Sequence, residues 1–398
     1  MSKSTVVIVG AGVTGLSTAY HLALRNFGRI VVLDKGPVGD GSSSRAAGII
    51  TGLMWSETGV LARKIALDRF QQLSDELPGY RFQKVGCLNW LDPASWPDRE
   101  RQLLLYDRCG VSYEILNADE MRQRWPEINP PGDFIGLYDP RGGYSEPDEY
   151  LPALANQCRR LGVEILEWTR VDSLAISGGR VRGVATAQGA IPCDRVVCTN
   201  YAWMNLTLAT VGIRLPVKSF VHQRYITRSL PQAVNLPAVN ANPIFGYIRP
   251  AIGKRLLLGL ETADRDEWKV RTADFHLSAL SAQAGVREQY VEAFRSAFPA
   301  LREAEWESQR VGLLTFSADG EPILGPISSL EGLYVGVAFH SGGFAYNPVT
   351  GMLLAELVAE GTTKLDIALF SPARFSESET RDYLATTVPQ KRAVRRRH

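Results

Sequence analysis

Thr5-Val-Val-Ile-Val-Gly10-Ala-Gly-Val-Thr-Gly15-Leu-Ser-Thr-Ala-Tyr20-His-Leu-Ala-Leu24, followed by Arg29-Ile-Val-Val-Leu-Asp34, is the stretch that decides the fold. The β-branched run from Thr5 to Val9 predicts a strand buried on both faces. Apolar residues at Leu16, Ala19, Tyr20, Ala23 and Leu24 predict a helix. Arg29 to Leu33 reads as a second buried strand, and an acid ends it. Each glycine between strand and helix has its own task. Gly10 permits the tight turn, Gly12 lets the backbone approach a pyrophosphate, and Gly15 lets helix and strand pack closely. The unpaired N–H groups at the helix start then face an anion, and Val13 and Thr14, just ahead of that helical run, are candidate cofactor contacts. Asp34 stands 19 residues beyond Gly15, where a carboxylate accepts hydrogen bonds from an adenosine ribose and disfavours a 2′-phosphate. Strand, glycines, helix, strand and acid, in this order within about 30 residues, predict a dinucleotide-binding unit. FAD and NAD are both compatible with it.

The rest of the chain sets the bounds. It has 398 residues, 44 Lys and Arg against 42 Asp and Glu, a net charge of +2 and 45% hydrophobic residues. Such a length accommodates two domains and a large core. The balanced charge speaks against a nucleic-acid partner, which would require a basic face. Lys391-Arg392 with Arg395-Arg396-Arg397-His398 is basic but reads as a solvated tail. Cys87, Cys109, Cys158, Cys193 and Cys198 form no CxxC pair and no zinc spacing, so buried thiols and no metal are expected. Gly10, Gly12, Thr14, Gly15, Ser17 and His21 interrupt the apolar start, which does not fit a secretory leader. No window approaches 18 uninterrupted apolar residues, so no membrane span is expected. The expected location is cytoplasmic.

After Asp34 the chain reads Lys35-Gly-Pro-Val-Gly-Asp40-Gly41-Ser42-Ser43-Ser44-Arg45-Ala46-Ala47-Gly48. Small hydroxyl residues and glycines suit a second contact to a pyrophosphate or flavin. This segment resembles the turn after the second strand in the FAD-dependent D-amino-acid oxidase superfamily, in its sarcosine, dimethylglycine, glycine and proline oxidising branch. Further along, Gly142-Gly-Tyr-Ser-Glu-Pro147 opens a helix, with Ser145 as its expected cap, and Glu164 to Trp168 reads as a strand. A hairpin through Gly178-Gly179 and the buried strand Arg195 to Thr199 follow. The resemblance implies an adenine contact at the Val171 backbone. It also implies contacts at Thr199, Asn200 and Trp203, although Thr199-Asn200 stands where the family has Ala-Gly. Near the end, Ala318-Asp-Gly320-Glu-Pro-Ile-Leu-Gly325, Gly332-Leu-Tyr-Val-Gly336 and Phe339-His340-Ser341-Gly342-Gly343-Phe344 match the family most closely. The resemblance implies that His340 to Phe344 and the helix they open face the flavin C2 carbonyl.

The implied fold is α/β, α+β overall: a discontinuous Rossmann-like FAD-binding domain beside an antiparallel-sheet substrate domain. The expected FAD-binding pieces are 1–79, 145–214 and 309–375. The substrate-binding pieces are 80–144 and 215–308, and 376–398 is a C-terminal tail. Strands are expected at Phe220 to Thr227, Phe245 to Arg249 and Arg255 to Gly259, and a helix around Val286 to Phe298. Alternation puts His222, Arg224 and Ile226 on one face of the first strand, and Tyr247 with Arg249 on one face of the second.

The chemistry the resemblance implies is hydride transfer from an amine or amino acid to flavin N5, giving an imine that hydrolyses. Several family positions are altered here. Leu314 stands where glycine oxidases hold a carboxylate-binding arginine. Ala345 and Leu257 stand where monomeric sarcosine oxidases hold lysines. Arg249, beside Tyr247, is the first expected substitute for the carboxylate clamp, with Arg224 and Arg45 as alternatives. His222 and His340 are expected to orient the substrate, and Trp55 and Tyr346 to wall an apolar pocket. Arg45 stands where dimethylglycine dehydrogenases attach flavin through histidine, and Gly312 lies near the cysteine used by sarcosine oxidases. Non-covalent FAD is therefore expected. The partners are an amine or amino-acid substrate, O₂ or another electron acceptor, and a homo- or hetero-oligomer. A hydroxyacid- or glycerol-phosphate-oxidising flavoenzyme and a flavoprotein subunit of an electron-transfer complex remain open alternatives.

Overall fold

In the computed structural model, residues 4–244, 246–260, 267–282 and 284–386 are described. Phe245 and the basic tail from Lys391 to His398 lie outside them. The strand Thr5–Val9 stands at the centre of a six-stranded sheet. Arg195–Cys198 and Arg29–Leu33 flank it in parallel, Leu333–Val337 and Glu164–Leu166 extend it in parallel, and Ile323–Pro326 closes one edge antiparallel. Val6, Val7 and Ile8 are fully buried, because helices cover one face of this sheet and the three-stranded meander Val171–Ser177, Arg180–Thr186, Gly189–Pro192 packs on the other. The helix Val13–Leu24 begins at Val13, three residues earlier than its apolar pattern suggested, directly behind the glycine turn. It packs against Gly343–Glu360 so closely that a Cβ on Gly351 would lie 2.2 Å from Ser17 Oγ.

The second sheet has eight strands, in the order Trp306–Ser317, Val217–Thr227, Arg255–Leu260, Gly246–Ala251, Ala238–Ala241, Cys87–Leu91, Ile135–Asp139, Glu114–Leu116. Its neighbours are antiparallel except Ala238–Ala241 with Cys87–Leu91. Val286–Arg295 packs on it through Phe294, which joins Trp90, Ile248 and Leu258 in one core. That helix ends at Arg295, short of the expected Phe298, and Pro299 opens a 3₁₀ turn. Trp306–Ser317 crosses the boundary placed at 309, since it pairs with Val217–Thr227 along its whole length. Within the piece expected as a tail, Ser376 and Glu379 form a capping box that starts the helix Glu377–Ala385.

Ser145 does not cap the helix Pro147–Arg160. Its hydroxyl bonds Tyr80 Oη, and Glu146 takes the N-cap position without a side-chain cap bond. The reason lies in Glu146's own side chain, which is drawn to an arginine described below.

Candidate functional site

One continuous cleft runs from the glycine turn across to the eight-stranded sheet. At its first end Gly10, with φ +110°, makes a turn that L side chains rarely adopt. Gly12 has φ −78°, so its need for glycine is spatial: a Cβ there would meet Ser43 Oγ at 2.9 Å. Ser43 Oγ accepts from Val13 N at 3.1 Å, which brings the Gly41–Gly48 loop over the helix start. Asp34 accepts from Ala11 N at 2.7 Å and Gly36 N at 3.0 Å. Burial raises its pKa, and those two N–H groups oppose the rise. Each oxygen keeps a lone pair for a further donor. Lys35 sits 4.0 Å over the Trp203 ring and donates to the Ala273 and Phe275 carbonyls. Burial lowers its pKa to about 8.

A dinucleotide fits this wall. Val13, Thr14, Asp34, Lys35, Val171, Thr199, Asn200 and Trp203 all line it, and Asn200 Oδ1 and Trp203 Nε1 are buried without hydrogen-bond partners among the described residues. Buried polar atoms ordinarily find partners, and a bound cofactor would supply them here. Gly41, Ser42, Ser43, Arg45, Ala46, Ala47 and Gly48 line the cleft, as do Gly312 and His340, Ser341, Gly342, Gly343 and Phe344. The last five deliver the start of the helix Gly343–Glu360 to the cleft, a second N-terminus aimed at an anion.

Two cofactor candidates fall elsewhere. Gly15 does not line the cleft; it packs beneath Gly10. Ser44 also turns away, and its carbonyl accepts from Arg224 at 2.8 Å and Arg310 at 2.6 Å.

At the far end His222 Nε2 lies 2.7 Å from Tyr247 Oη, with the two rings stacked. Both face glycines on neighbouring strands: His222 pairs with Gly312 and Tyr247 with Gly259. The Tyr247 ring lies across Gly259, where a Cβ would fall 1.9 Å from Cζ. Thus two small residues give the aromatic pair its place. Leu257, at a position where a family lysine was sought, is fully buried in an apolar cluster with Tyr247. His340 has its ring against Phe316 at 4.7 Å, and burial lowers its pKa to about 3. It is a neutral, weakly basic imidazole.

Arg249 is not a free clamp. It does not line the cleft, its guanidinium is fully buried, and it grips Glu146 in a bidentate pair of 2.8 and 2.9 Å. Nε donates to Ala47 O at 2.6 Å, and the group covers the Tyr144 ring at 4.3 Å. Strand alternation gave its face correctly and said nothing of a partner 103 residues away. Arg224 is likewise spent on Ser44 O, and burial among Arg249 and Arg310 lowers its pKa to about 10. Arg45 does line the cleft, tied to the Asp40 and Gly41 carbonyls. Trp55 lies under Arg99 at 4.0 Å and is not a cleft wall.

Several cleft residues, among them Thr51, Arg63 and Asn240, escaped the sequence reading. Arg63, on the helix Glu57–Glu76, lines the far end. Its Nε donates to Thr51 O at 2.9 Å, Nη1 reaches Gly342 O only at 3.5 Å, and the guanidinium stacks on Tyr346 at 4.8 Å. Tyr346 therefore stands behind Arg63 instead of walling the cleft. The signal was present: Val60, Arg63, Leu67 and Phe70 share one helical stripe, and an arginine within an apolar stripe is costly without a purpose.

The sequence profile described as FAD dependent oxidoreductase matches residues 5–357. The chain is 30% identical over 391 residues to 4-methylaminobutanoate oxidase (formaldehyde-forming) of Paenarthrobacter nicotinovorans, covering 95% of this chain and 46% of that protein. It therefore spans less than half of that relative's length. It is 26% identical to sarcosine oxidase subunit beta of Rhodobacter capsulatus, covering 94% of this chain and 89% of that one. Among solved structures, L-proline dehydrogenase from P. horikoshii superposes with a TM-score of 0.87 at 26% identity, covering 95% of this chain and 99% of that one. Glycine oxidase from Geobacillus kaustophilus gives 0.82 at 25% identity, covering 94% and 100%. With the glycine turn, Asp34 and the cleft already joined in one site, the match settles the lineage: the chain belongs to the FAD dependent oxidoreductase family.

Proposed function

We propose that the protein oxidises the C–N bond of a secondary or N-methyl amine or amino acid. The carrying observation is the continuity of the cleft from the Gly10–Thr14 turn to the His222–Tyr247 pair, which puts a polar, buried binding end on the same space as the cofactor wall. FAD, held by the glycine turn, Asp34 and the Gly41–Gly48 loop, would supply a two-electron acceptor for a hydride from the carbon next to nitrogen. As the carbon gives up its hydride the nitrogen gives up its proton to water, and water then cleaves the resulting imine to an amine and a carbonyl compound. This chain's residues position the substrate. Tyr247 Oη and His222 Nε2 share one proton at 2.7 Å, so the pair offers the amine either a donor or an acceptor without adding net charge. Leu257, Tyr247 and the apolar residues around them limit water at that wall.

Neither Arg45 nor Gly312 can form a covalent flavin bond. Cys87, the cysteine that bonds a cleft residue (its Sγ lies 3.7 Å from Asn240 Nδ2), has its thiol pushed well up by burial. Trichloroacetic acid should therefore release all the FAD into the supernatant, and yellow colour in the washed pellet would refute this. The relative named sarcosine oxidase subunit beta supports the further proposal that the chain works within a hetero-oligomer. A cytoplasmic setting belongs to the same proposal, supported by five unpaired, buried cysteines.

The test is anaerobic titration of the flavin absorbance with N-methyl amino acids, other secondary amines, D-amino acids and 2-hydroxyacids. Bleaching by the amines and none by hydroxyacids is expected. Bleaching by hydroxyacids alone would overturn the reading.

A further inference from the structure

Arg63 is a buried cation with no anion. Its exposure is 2%, and among the described residues no carboxylate comes within ion-pair distance of it. Of the four fully buried arginines among the described residues, Arg249 closes its fork on Glu146, Arg99 and Arg224 also lack a carboxylate but lie off the cleft, and Arg63 lines it. Arg63 has only two backbone carbonyls, one of them at the limit of a hydrogen bond, and Nη2 has no partner among the described residues. Asp139 lies beyond Thr51, but its carboxylate already accepts from Thr51 Oγ1 and from the N–H groups of Gly52, Arg141 and Gly142. Arginine does not shed its proton to escape burial, and Tyr346 and the more distant Asp139 offset that burial only in part, so an arriving anion would gain from it.

We infer that Arg63 binds the carboxylate of the substrate, which makes that substrate an amino acid and not a simple amine. The inference rests on the reading of the site as an amine-oxidising one. The guanidinium lines the end of the cleft that also holds Thr51, Asn240, His222 and Tyr247. A planar fork held at Nε and stacked on Tyr346 is pre-organised to meet a carboxylate. A single cation matches a monoanion. The other cations along the cleft are engaged elsewhere: Arg45 with Asp40 and Gly41, Lys35 with Ala273 and Phe275, Arg170 with Asp172 and Asp274. The assignment also accounts for Leu314 and Ala345, because a carboxylate held from the helix Glu57–Glu76 needs no clamp from those positions.

The test uses the FAD-loaded protein with acetate and its neutral isostere acetamide, read by the visible difference spectrum of the flavin and by calorimetry. The wild type should bind acetate and not acetamide. Arg63→Gln should weaken acetate roughly ten- to a hundredfold, with Arg63→Lys in between, while FAD content stays stoichiometric. Equal binding of acetate by wild type and Arg63→Gln would overturn the inference, since an arginine that merely braces Thr51 and Gly342 would give that result. Loss of FAD from both variants, or no acetate response in the wild type, would overturn it as well. The amine reading is judged separately: secondary amines lacking a carboxylate should still reduce the Arg63→Gln flavin, slowly and at high concentration. Reduction absent in wild type and variant alike would count against that reading and not against Arg63.

Discussion

Arg249→Gln should lower the unfolding free energy by about 3–5 kcal/mol while leaving the KM of the surviving holoenzyme little changed. The reason is its burial. Arg249 has no solvent exposure, and removing its charge strands Glu146, which is 12% exposed and has lost its counter-ion. Burial alone would raise the Glu146 pKa, but the Arg249 guanidinium holds it below the usual carboxylate range. A depressed folded pKa means stabilisation that is fully present above the unfolded value and lost as pH falls through the folded one. The stability gap between wild type and Arg249→Gln should therefore be wide at neutral pH and shrink in acid. Urea unfolding of both proteins across pH 3 to 8, roughly the range carboxylates and neutral function span, measures this. A selective rise in KM with unchanged stability would return Arg249 to the role of a substrate clamp.

Gly15→Ala should prevent stable FAD binding more completely than Gly12→Ala. A Cβ on Gly15 would lie 1.9 Å from Gly10 O and 2.8 Å from Thr199 Oγ1. Gly10 O is backbone, held in a positive-φ turn between the strand Thr5–Val9 and the helix Val13–Leu24, so it cannot yield without moving the whole turn. At Gly12 the nearest obstacle is the Ser43 hydroxyl, which can rotate. Overpacking at a rigid backbone contact costs about 1–3 kcal/mol or more, and the strain falls on the turn that shapes the cleft. Gly132→Ala, with nothing within 4 Å, is the control and should be silent. Soluble Gly15→Ala protein carrying a full complement of FAD would show that the turn is softer than this packing implies.

The sequence read well where the physics is local. Thr5–Val9 and Arg29–Leu33 were legible because parallel strands buried on both faces must be continuous apolar runs. The glycine turn was legible because few sequences other than glycines satisfy such close approaches. Partners distant in sequence were not. Nothing near Arg249 announces Glu146, and nothing near Ser44 announces that Arg224 and Arg310 converge on its carbonyl. Periodicity assigns a face but cannot say which cation on that face remains unpaired. Arg63 shows the opposite error: set between Ala62 and Lys64 it resembles a solvated helix residue, although its stripe is apolar.

The central claim is that this cleft removes a hydride from carbon next to nitrogen. It is tested most directly by a single anaerobic turnover in which flavin reduction and product are counted together. The FAD-loaded protein is mixed with a stoichiometric N-methyl amino acid, the bleached absorbance is measured, and the quenched solution is assayed for aldehyde and demethylated amine. One aldehyde and one amine for each flavin bleached is the predicted result. Bleaching without either product, or an unbleached flavin across the whole amine panel while a hydroxyacid reduces it, would contradict the account.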